Sequence, residues 1–179
     1  PELSFRILHI SPYPEAFGEP RYEMPDNIVQ LEEVFCHAAQ SHESKRQTPS
    51  RPSTRFHGPP SRVLRAIRRM HLEGVVDDEL IADLASADLS ISDFLHGSEA
   101  FELIRDELYG ALAAGNPFTD FFWHMRAMHV PLLRMLRAPT PDAGVFHASS
   151  CGYAGLIGAV ASERTGRPLV VTEHGIYAR

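Results

Sequence analysis

The sequence predicts an α/β domain with a mainly parallel sheet and a helical insertion. Three features support this fold class: apolar strand-like segments near the N-terminus, long amphipathic patterns in the middle of the chain, and a strand–helix–strand segment near the C-terminus. Strands that alternate with helices through short connections are typical of parallel sheets, whereas a run of helices between them indicates an insertion. An apolar content of 44% and a charged content of 22% are typical of an ordinary globular domain.

Two strands are predicted before the helical insertion. Residues 5–10 are rich in large apolar side chains and end at a Ser-Pro-Tyr-Pro sequence, which favours a strand followed by a turn. Residues 27–35 show a second, weaker strand pattern. Residues 38–60 are polar, rich in proline and nearly devoid of aliphatic side chains, so we expect a mobile loop rather than a domain boundary.

Helical periodicity dominates the middle of the chain. Ser61 can cap a first helix, and further helices are predicted for about residues 77–87, 92–113 and 117–136. The first helix carries a row of arginines on its exposed side: Arg62, Arg65, Arg68 and Arg69. Such a row could bind an anion, but charge at helical spacing more often marks a solvated face, which is the interpretation we favour.

The last part of the chain contains the clearest pattern. Residues 145–148 and 169–172 are apolar, residues 151–165 between them are helical, and Gly166 follows the last helical turn. This order predicts a βαβ unit with parallel strands and a right-handed crossover. Because both strands are continuously apolar, we expect a sheet that is covered on both faces.

Glycines recur at every third position of the helix in this unit, at Gly152, Gly155 and Gly158. Without Cβ atoms, they leave a smooth helix face that can approach the sheet closely. The series lies inside a helix rather than in a strand-to-helix turn. It is therefore neither a dinucleotide-binding fingerprint nor a phosphate-binding loop.

Composition argues against several classes of protein. The net charge of −6 argues against a nucleic-acid partner, which requires a basic surface. The two cysteines, Cys36 and Cys151, are too few for a disulfide framework. The sequence shows neither a signal-peptide pattern nor an apolar stretch of membrane-spanning length. We therefore expect a cytoplasmic protein.

Polar residues follow the last predicted strand. Glu173, His174, Gly175 and Tyr177 come directly after residues 169–172. Ligands of open parallel sheets bind where the strands end at their carboxyl side, so these residues are predicted to line a cleft. The alternative is that the imidazole of His174 only hydrogen-bonds the neighbouring loop.

Ser149 and Ser150 follow the neighbouring strand and precede the helix predicted for residues 151–165. Exposed N–H groups and the helix dipole make such a position favourable for an anion. The two serines are therefore candidate substrate-binding residues that could contact a hydroxyl or a phosphate. Ordinary helix capping is the alternative and, from position alone, the favoured interpretation.

Two other chemistries have weaker support. Cys151 with His147 or His174 could form a nucleophile–base pair, but no cysteine-hydrolase signature surrounds Cys151, which we interpret as a small helix residue. His124 and His129 lie five residues apart and thus on different sides of a helix, unlike the four-residue spacing of zinc enzymes. No metal site is predicted.

Three segments resemble one family of enzymes. Residues 144–179, with the sequence GVFHASSCGYAGLIGAVASERTGRPLVVTEHGIYAR, resemble the middle of the family 4 glycosyltransferases. Within that family they are most similar to the Pel exopolysaccharide glycosyltransferases. Residues 117–136, PFTDFFWHMRAMHVPLLRML, resemble the helical insert of this group, and residues 21–35, RYEMPDNIVQLEEVF, resemble its second strand.

The resemblance implies a GT-B fold, in which two Rossmann-like domains face each other across a cleft, and it identifies this chain with the N-terminal, acceptor-side domain. It implies retaining transfer of a sugar from a nucleotide sugar, such as UDP-glucose, to a growing exopolysaccharide, with no metal or other cofactor. By resemblance, His174 is the catalytic histidine beside the donor sugar. Glu173, Gly175 and Tyr177 shape the wall around it. The implied partners are the nucleotide sugar, the polysaccharide acceptor and a membrane-bound exopolysaccharide synthase complex.

Two parts of the family pattern have no counterpart in residues 1–179. One is the first strand–helix unit with its glycine-rich turn, and the other is the C-terminal donor domain with its paired glutamates. We therefore expect this chain alone to be inactive. The alternatives are a non-catalytic binding or regulatory domain of the same fold, and a hydrolase that uses Cys151 or Ser150 with a histidine.

Overall fold

A computed structural model describes four parts of the chain: residues 3–14, 22–37, 61–85 and 91–175. The loop predicted for residues 38–60 lies outside them. The chain divides into two compact units, which we call the sheet unit (residues 1–42 and 138–179) and the helical unit (residues 43–137). The architecture is mixed α/β, with the helical unit inserted into the sequence of the sheet unit.

The sheet unit begins with two strands at the positions that the sequence predicts. β1 (Phe5–Ser11) and β2 (Ile28–Phe35) pair in parallel, so that Ser11 lies opposite Phe35 at their carboxyl ends. Not every apolar side chain of this pair is buried, since Val29 is 54% exposed.

The helical unit begins with a helix at the predicted position. α1 (Ser61–Arg68) continues into a π-helical turn over Arg69–Glu73. The next helix, α2 (Asp78–Leu84), is capped by Asp77, whose carboxylate accepts a hydrogen bond from the N–H of Leu80 at 2.8 Å. This bond satisfies one of the N–H groups that the first turn of a helix leaves without a partner.

The prediction of one continuous helix over residues 92–113 is wrong. The chain instead forms α3 (Ile91–His96), α4 (Ser98–Glu102), a π-helical segment (Leu103–Leu108) and α5 (Tyr109–Leu112). Gly97 separates α3 from α4, because its ψ angle of 137° is that of extended backbone. Glycine has little helical preference, so it permits a break that the apolar periodicity does not reveal.

The helix predicted for residues 117–136 is confirmed as α6 (Phe118–Leu136). The centre of its buried face has residues at steps of three and four: Phe121, Met125, His129, Leu133 and Leu136. His129 thus belongs to the core of the helical unit although it is polar. No helix in the described ranges has the length and apolar character needed to cross a lipid bilayer.

The chain then returns to the sheet unit and forms the predicted βαβ unit. β3 (Phe146–Ala148) and β4 (Leu169–Val171) pair in parallel, and α7 (Tyr153–Thr165) connects them. Gly166, with a φ angle of 66°, ends α7 in the left-handed conformation that favours glycine, as the sequence predicts.

Of the three glycines in the predicted series, Gly158 makes the closest approach to a strand. A Cβ atom at Gly158 would lie 2.7 Å from Cδ1 of Leu169 on β4, closer than normal contact. At Gly155 a Cβ atom would lie 3.1 Å from the carbonyl oxygen of Ser150, and at Gly152 the nearest atom would be 4.0 Å away. The close helix–sheet approach predicted from this series therefore takes place at Gly158.

The described strands form two separate parallel pairs, β1–β2 and β3–β4, rather than one sheet. The expectation that β3 and β4 are covered on both faces is wrong for the described residues. The face that carries Ala148 and Leu169 packs against α7, whereas His147 and Val170 on the opposite face are exposed. The apolar runs predict the strands correctly, but they do not show whether a second layer covers them.

Candidate functional site

The candidate site lies at the carboxyl ends of β3 and β4. The last hydrogen bond of the pair joins the N–H of Thr172 to the carbonyl of Ala148 at 2.9 Å. Beyond this bond, residues 172–175 lie beside the turn at residues 149–152 that precedes α7. The structure therefore brings together the two groups of polar residues that the sequence predicts as site residues, apart from Tyr177, which lies outside the described ranges.

Glu173 connects the two segments. Its Oε2 accepts the N–H of Cys151 at 3.2 Å, while its Oε1 accepts the N–H groups of His174 at 3.1 Å and Gly175 at 3.3 Å. The thiol of Cys151 lies near the same carboxylate. This thiol, followed by the N–H groups, stabilises the ionised form and lowers the pKa of Glu173 below its ordinary value.

Cys151 lies in the turn before α7, not in the helix predicted for residues 151–165. Its thiol is exposed. The hydrogen bond to Glu173, and then the negative charge of that carboxylate, raise the pKa of the thiol. A cysteine nucleophile requires the opposite shift, because the thiolate is the reactive form. This environment disfavours a hydrolase that uses Cys151.

Ser149 and Ser150 do not cap α7, so the capping interpretation is wrong. The residue at the cap position is Gly152, which makes no side-chain capping bond. The turn at residues 149–152 delays the start of the helix until Tyr153, and the two serines lie ahead of it. Ser149 is exposed and Ser150 is half-buried, so both lie at the rim of the candidate site.

The side chains of His147 and Thr172 form a hydrogen bond for which the sequence patterns give no prediction. Nε2 of His147 lies 2.8 Å from Oγ1 of Thr172. The alternation of side chains along a strand could have indicated this contact. His147 lies opposite Val170, and Thr172 is two residues after Val170 on the same face. The pair therefore joins the ends of β3 and β4 through side chains as well as through backbone.

His174 is exposed, and its backbone N–H is bound to Glu173. Its imidazole has no hydrogen-bond partner in the described parts of the chain. The alternative in which this ring only bonds the adjacent loop is therefore not observed there. Among the residues that the structure describes, none occupies either ring nitrogen.

Tyr153 is the first residue of α7, directly after the turn. Burial raises the pKa of the Tyr153 phenol at the start of α7, and the nearby thiol of Cys36, which follows β2, adds to this effect.

The arginine row of α1 is not a free anion site at two of its positions. Arg68 pairs with Glu107 at 2.6 Å and with Glu73 at 3.3 Å. Arg69 pairs with Asp77 at 2.7 Å and more weakly with Glu79. These carboxylates already neutralise both guanidinium groups, which favours the interpretation as a solvated, ion-paired face.

A second histidine contact lies in the helical unit and was missed in the sequence. Nε2 of His71 lies 3.0 Å from Nε2 of His129, while Nδ1 of His129 donates to the carbonyl of Met125 at 2.7 Å. The row of apolar residues on α6 could have revealed His129, which lies four residues after the buried Met125. Its partner could not be found in this way, because 58 residues separate the two histidines.

Within the residues that the structure describes, no group of three or more His, Cys, Asp or Glu side chains has an arrangement that could hold a metal ion. The contact between His71 and His129 has only two members, and the Glu173 carboxylate accepts backbone N–H groups. Three or four ligands from the protein are usual in metal sites.

Comparison with known protein families identifies the family of this chain. Residues 1–179 match the family described as Domain of unknown function (DUF3492), and the chain belongs to this family. Domains of this family are found in glycosyltransferase-like proteins. No curated protein and no solved structure matches the chain.

Proposed function

We propose that this member of the DUF3492 family is the N-terminal, acceptor-side domain of a retaining family 4 glycosyltransferase with the GT-B fold. In this proposal the complete enzyme moves a sugar from a nucleotide sugar, such as UDP-glucose, to a growing exopolysaccharide. It works in the cytoplasm, beside a membrane-bound exopolysaccharide synthase complex. The proposal rests on the resemblance of residues 144–179 to that family and on the position of His174.

The position of His174 is the main observation that supports this proposal. In open α/β sheets, ligands bind outside the carboxyl ends of the strands. His174 lies at that edge of a parallel βαβ unit and is exposed, and no described residue hydrogen-bonds its imidazole. An imidazole so placed can hydrogen-bond a hydroxyl of the donor sugar and stabilise the charge that develops as the glycosidic bond breaks.

The residues around His174 supply further polar groups for a carbohydrate. Ser149 and Ser150 lie at the rim with their side chains wholly or partly exposed. The hydrogen bond between His147 and Thr172 keeps a second imidazole at the ends of the strands. Sugars are recognised through many hydroxyl contacts, so an edge rich in hydroxyl and imidazole groups suits them better than an apolar ligand.

The proposed chemistry requires a second domain. His174, Glu173 and Cys151 are all exposed in this chain, so water has free access to them. Polar groups stabilise a transition state most strongly where water is excluded. We propose that a second Rossmann-like domain closes over this edge and binds the diphosphate of the donor.

The test compares two histidine variants of the full-length polypeptide that carries this domain. His174→Ala is expected to reduce sugar transfer from UDP-glucose by about 100-fold, the usual cost of removing one preorganised polar group. The matched control is His124→Ala, which removes an exposed histidine from α6 in the helical unit. It should leave transfer unchanged.

Both variants should melt within about 2 °C of the wild type, because exposed side chains contribute little to stability. Transfer is measured as release of the nucleoside diphosphate, and stability as the midpoint of thermal unfolding. If His174→Ala transfers sugar at the rate of the wild type, His174 is not a residue of the active site. A folded full-length protein that neither binds nor consumes any nucleotide sugar would favour the non-catalytic binding domain.

A further inference from the structure

The carboxylate of Glu173 is already engaged by three backbone N–H groups of its own chain. It receives the N–H groups of Cys151, His174 and Gly175. An ionised carboxylate offers about four acceptor positions on its two oxygens. These three donors therefore occupy most of the acceptor capacity that a sugar hydroxyl would need.

These contacts bridge two segments that the strands no longer connect. The backbone pairing of β3 with β4 ends at the bond from Thr172 to Ala148. Glu173 is the next residue, and its side chain reaches across to the turn before α7. Hydrogen bonds from N–H groups to a charged oxygen are stronger than those between neutral groups, so this bridge is well suited to hold the loop.

The bridge determines the course of the backbone at His174. Its N–H and that of Gly175 bind the same oxygen, Oε1 of Glu173, at 3.1 Å and 3.3 Å. Two successive N–H groups on one acceptor restrict the rotation of the peptide between them. The imidazole therefore projects from a backbone that Glu173 restrains.

We infer that Glu173 is a positioning residue, which holds the loop of His174 against the turn before α7 and does not itself bind the sugar. This inference rests on the proposed function for the role of His174, but the bridge itself can be tested without any enzymatic activity. It replaces the expectation that Glu173 lines the wall of the substrate site.

The first test uses Cys151 as a reporter of the bridge. In Glu173→Gln the negative charge is removed, and the amide has only one acceptor oxygen for the donors on both sides. Alkylation of Cys151 by iodoacetamide at pH 8 should become severalfold faster, because the pKa of the thiol falls towards its ordinary value and more thiolate is present. Peptide mass spectrometry separates this label from that on the buried Cys36.

The matched control is Glu163→Gln, which removes an exposed carboxylate from α7 in the same unit. It should leave the alkylation rate of Cys151 unchanged. Amide hydrogen exchange, followed by NMR, should become faster at His174 and Gly175 in Glu173→Ala, with Glu173→Gln intermediate. If Cys151 alkylation in Glu173→Gln and amide exchange in Glu173→Ala proceed at the rates of the wild type, the bridge is refuted.

The second test separates positioning from sugar binding in the full-length polypeptide. A misplaced His174 should lower kcat by about tenfold in Glu173→Gln and leave KM for the nucleotide sugar within about twofold. A large rise in KM with unchanged kcat would instead show that Glu173 binds the donor, and it would overturn the inference.

The two proposals can fail separately. If Glu173→Gln alters alkylation and amide exchange while the wild type transfers no sugar, the bridge stands and the proposed function fails. If His174→Ala abolishes transfer while Glu173→Gln transfers sugar normally, the proposed function stands and the positioning role fails.

Discussion

The buried histidine of the helical unit should make that unit sensitive to acid. His129 has 0% exposed surface, and the ring of Phe94 lies 5.6 Å from its own ring. Because Nδ1 of His129 donates to the carbonyl of Met125, its Nε2 is the acceptor in the neutral ring, and His71 must donate through Nε2. A proton added to Nε2 of His129 would place two N–H groups against each other.

The expected loss of stability follows from the pKa of His129. Burial lowers it from 6.5 to about 4, and the nearby His71 adds to this effect. The unfolded chain binds a proton below pH 6.5 and the folded chain only near pH 4. Stability is therefore fully present above about pH 7 and falls with pH, by about 2 kcal/mol at pH 5 and about 3 kcal/mol below pH 4. Burial also lowers the pKa of His71. Protonation of His71 in the unfolded chain therefore adds to the loss of stability as the pH falls.

The assay is urea unfolding at several pH values between 7 and 5. Trp123, the single tryptophan, lies on α6 and reports on the helical unit by fluorescence. His129→Leu removes the titrating group, so its unfolding free energy should change by about 2 kcal/mol less than that of the wild type over this range. Its stability at pH 7 should be lower, since His71 loses its acceptor, and only the pH dependence is compared.

His124→Leu is the matched control, because it removes an exposed histidine from the same helix. It should retain the pH dependence of the wild type. The reasoning would be refuted if His129→Leu and the wild type lost the same free energy between pH 7 and pH 5. Such a result would mean that the imidazole is hydrated, or that it is not buried at neutral pH.

Two further predictions concern stability at neutral pH. Asp77→Ala should lower the unfolding free energy of the helical unit by about 1 kcal/mol, because the N–H of Leu80 loses its acceptor. Asp77→Asn keeps an acceptor oxygen and should lose much less, as measured by urea unfolding with tryptophan fluorescence. Gly158→Leu should destabilise the sheet unit by about 1–3 kcal/mol, because the new side chain must displace Leu169. Ala159→Leu, on the exposed side of the same helix, should change stability by less than about 0.5 kcal/mol in urea unfolding followed by circular dichroism.

Equal losses in the two Asp77 variants would assign the stabilisation to the ion pair with Arg69 rather than to the cap, since both variants remove that pair. Equal effects of the Gly158 and Ala159 variants would contradict the close approach of α7 to β4.

Much of the fold could be predicted because it depends on local patterns. The apolar runs at β1, β3 and β4, the stripe along α6 and Gly166 after α7 all lie where the sequence indicates. The break at Gly97 could not be predicted, because it removes only one residue from the helical pattern and leaves the apolar spacing on either side intact.

The candidate site could be predicted in position but not in the roles of its residues. The rule that ligands bind at the carboxyl ends of parallel strands led to Glu173 and His174 without any contact being known. The bond from the N–H of Cys151 to Glu173 joins residues 22 positions apart, and it underlies the positioning role that we propose for Glu173. The spacing of apolar residues does not indicate which carboxylate accepts hydrogen bonds from the backbone of its own chain.

Strands and helices follow from the alternation of apolar and polar residues, because the backbone places side chains at fixed periods of about 2 and 3.6 residues. For the same reason, the order of β3, α7 and β4 was sufficient to predict parallel pairing. Long-range contacts follow no such period. The contact between His71 and His129, the bond from Cys151 to Glu173 and the exposed face of His147 and Val170 depend on how separate segments meet in space, and only the tertiary structure reveals them.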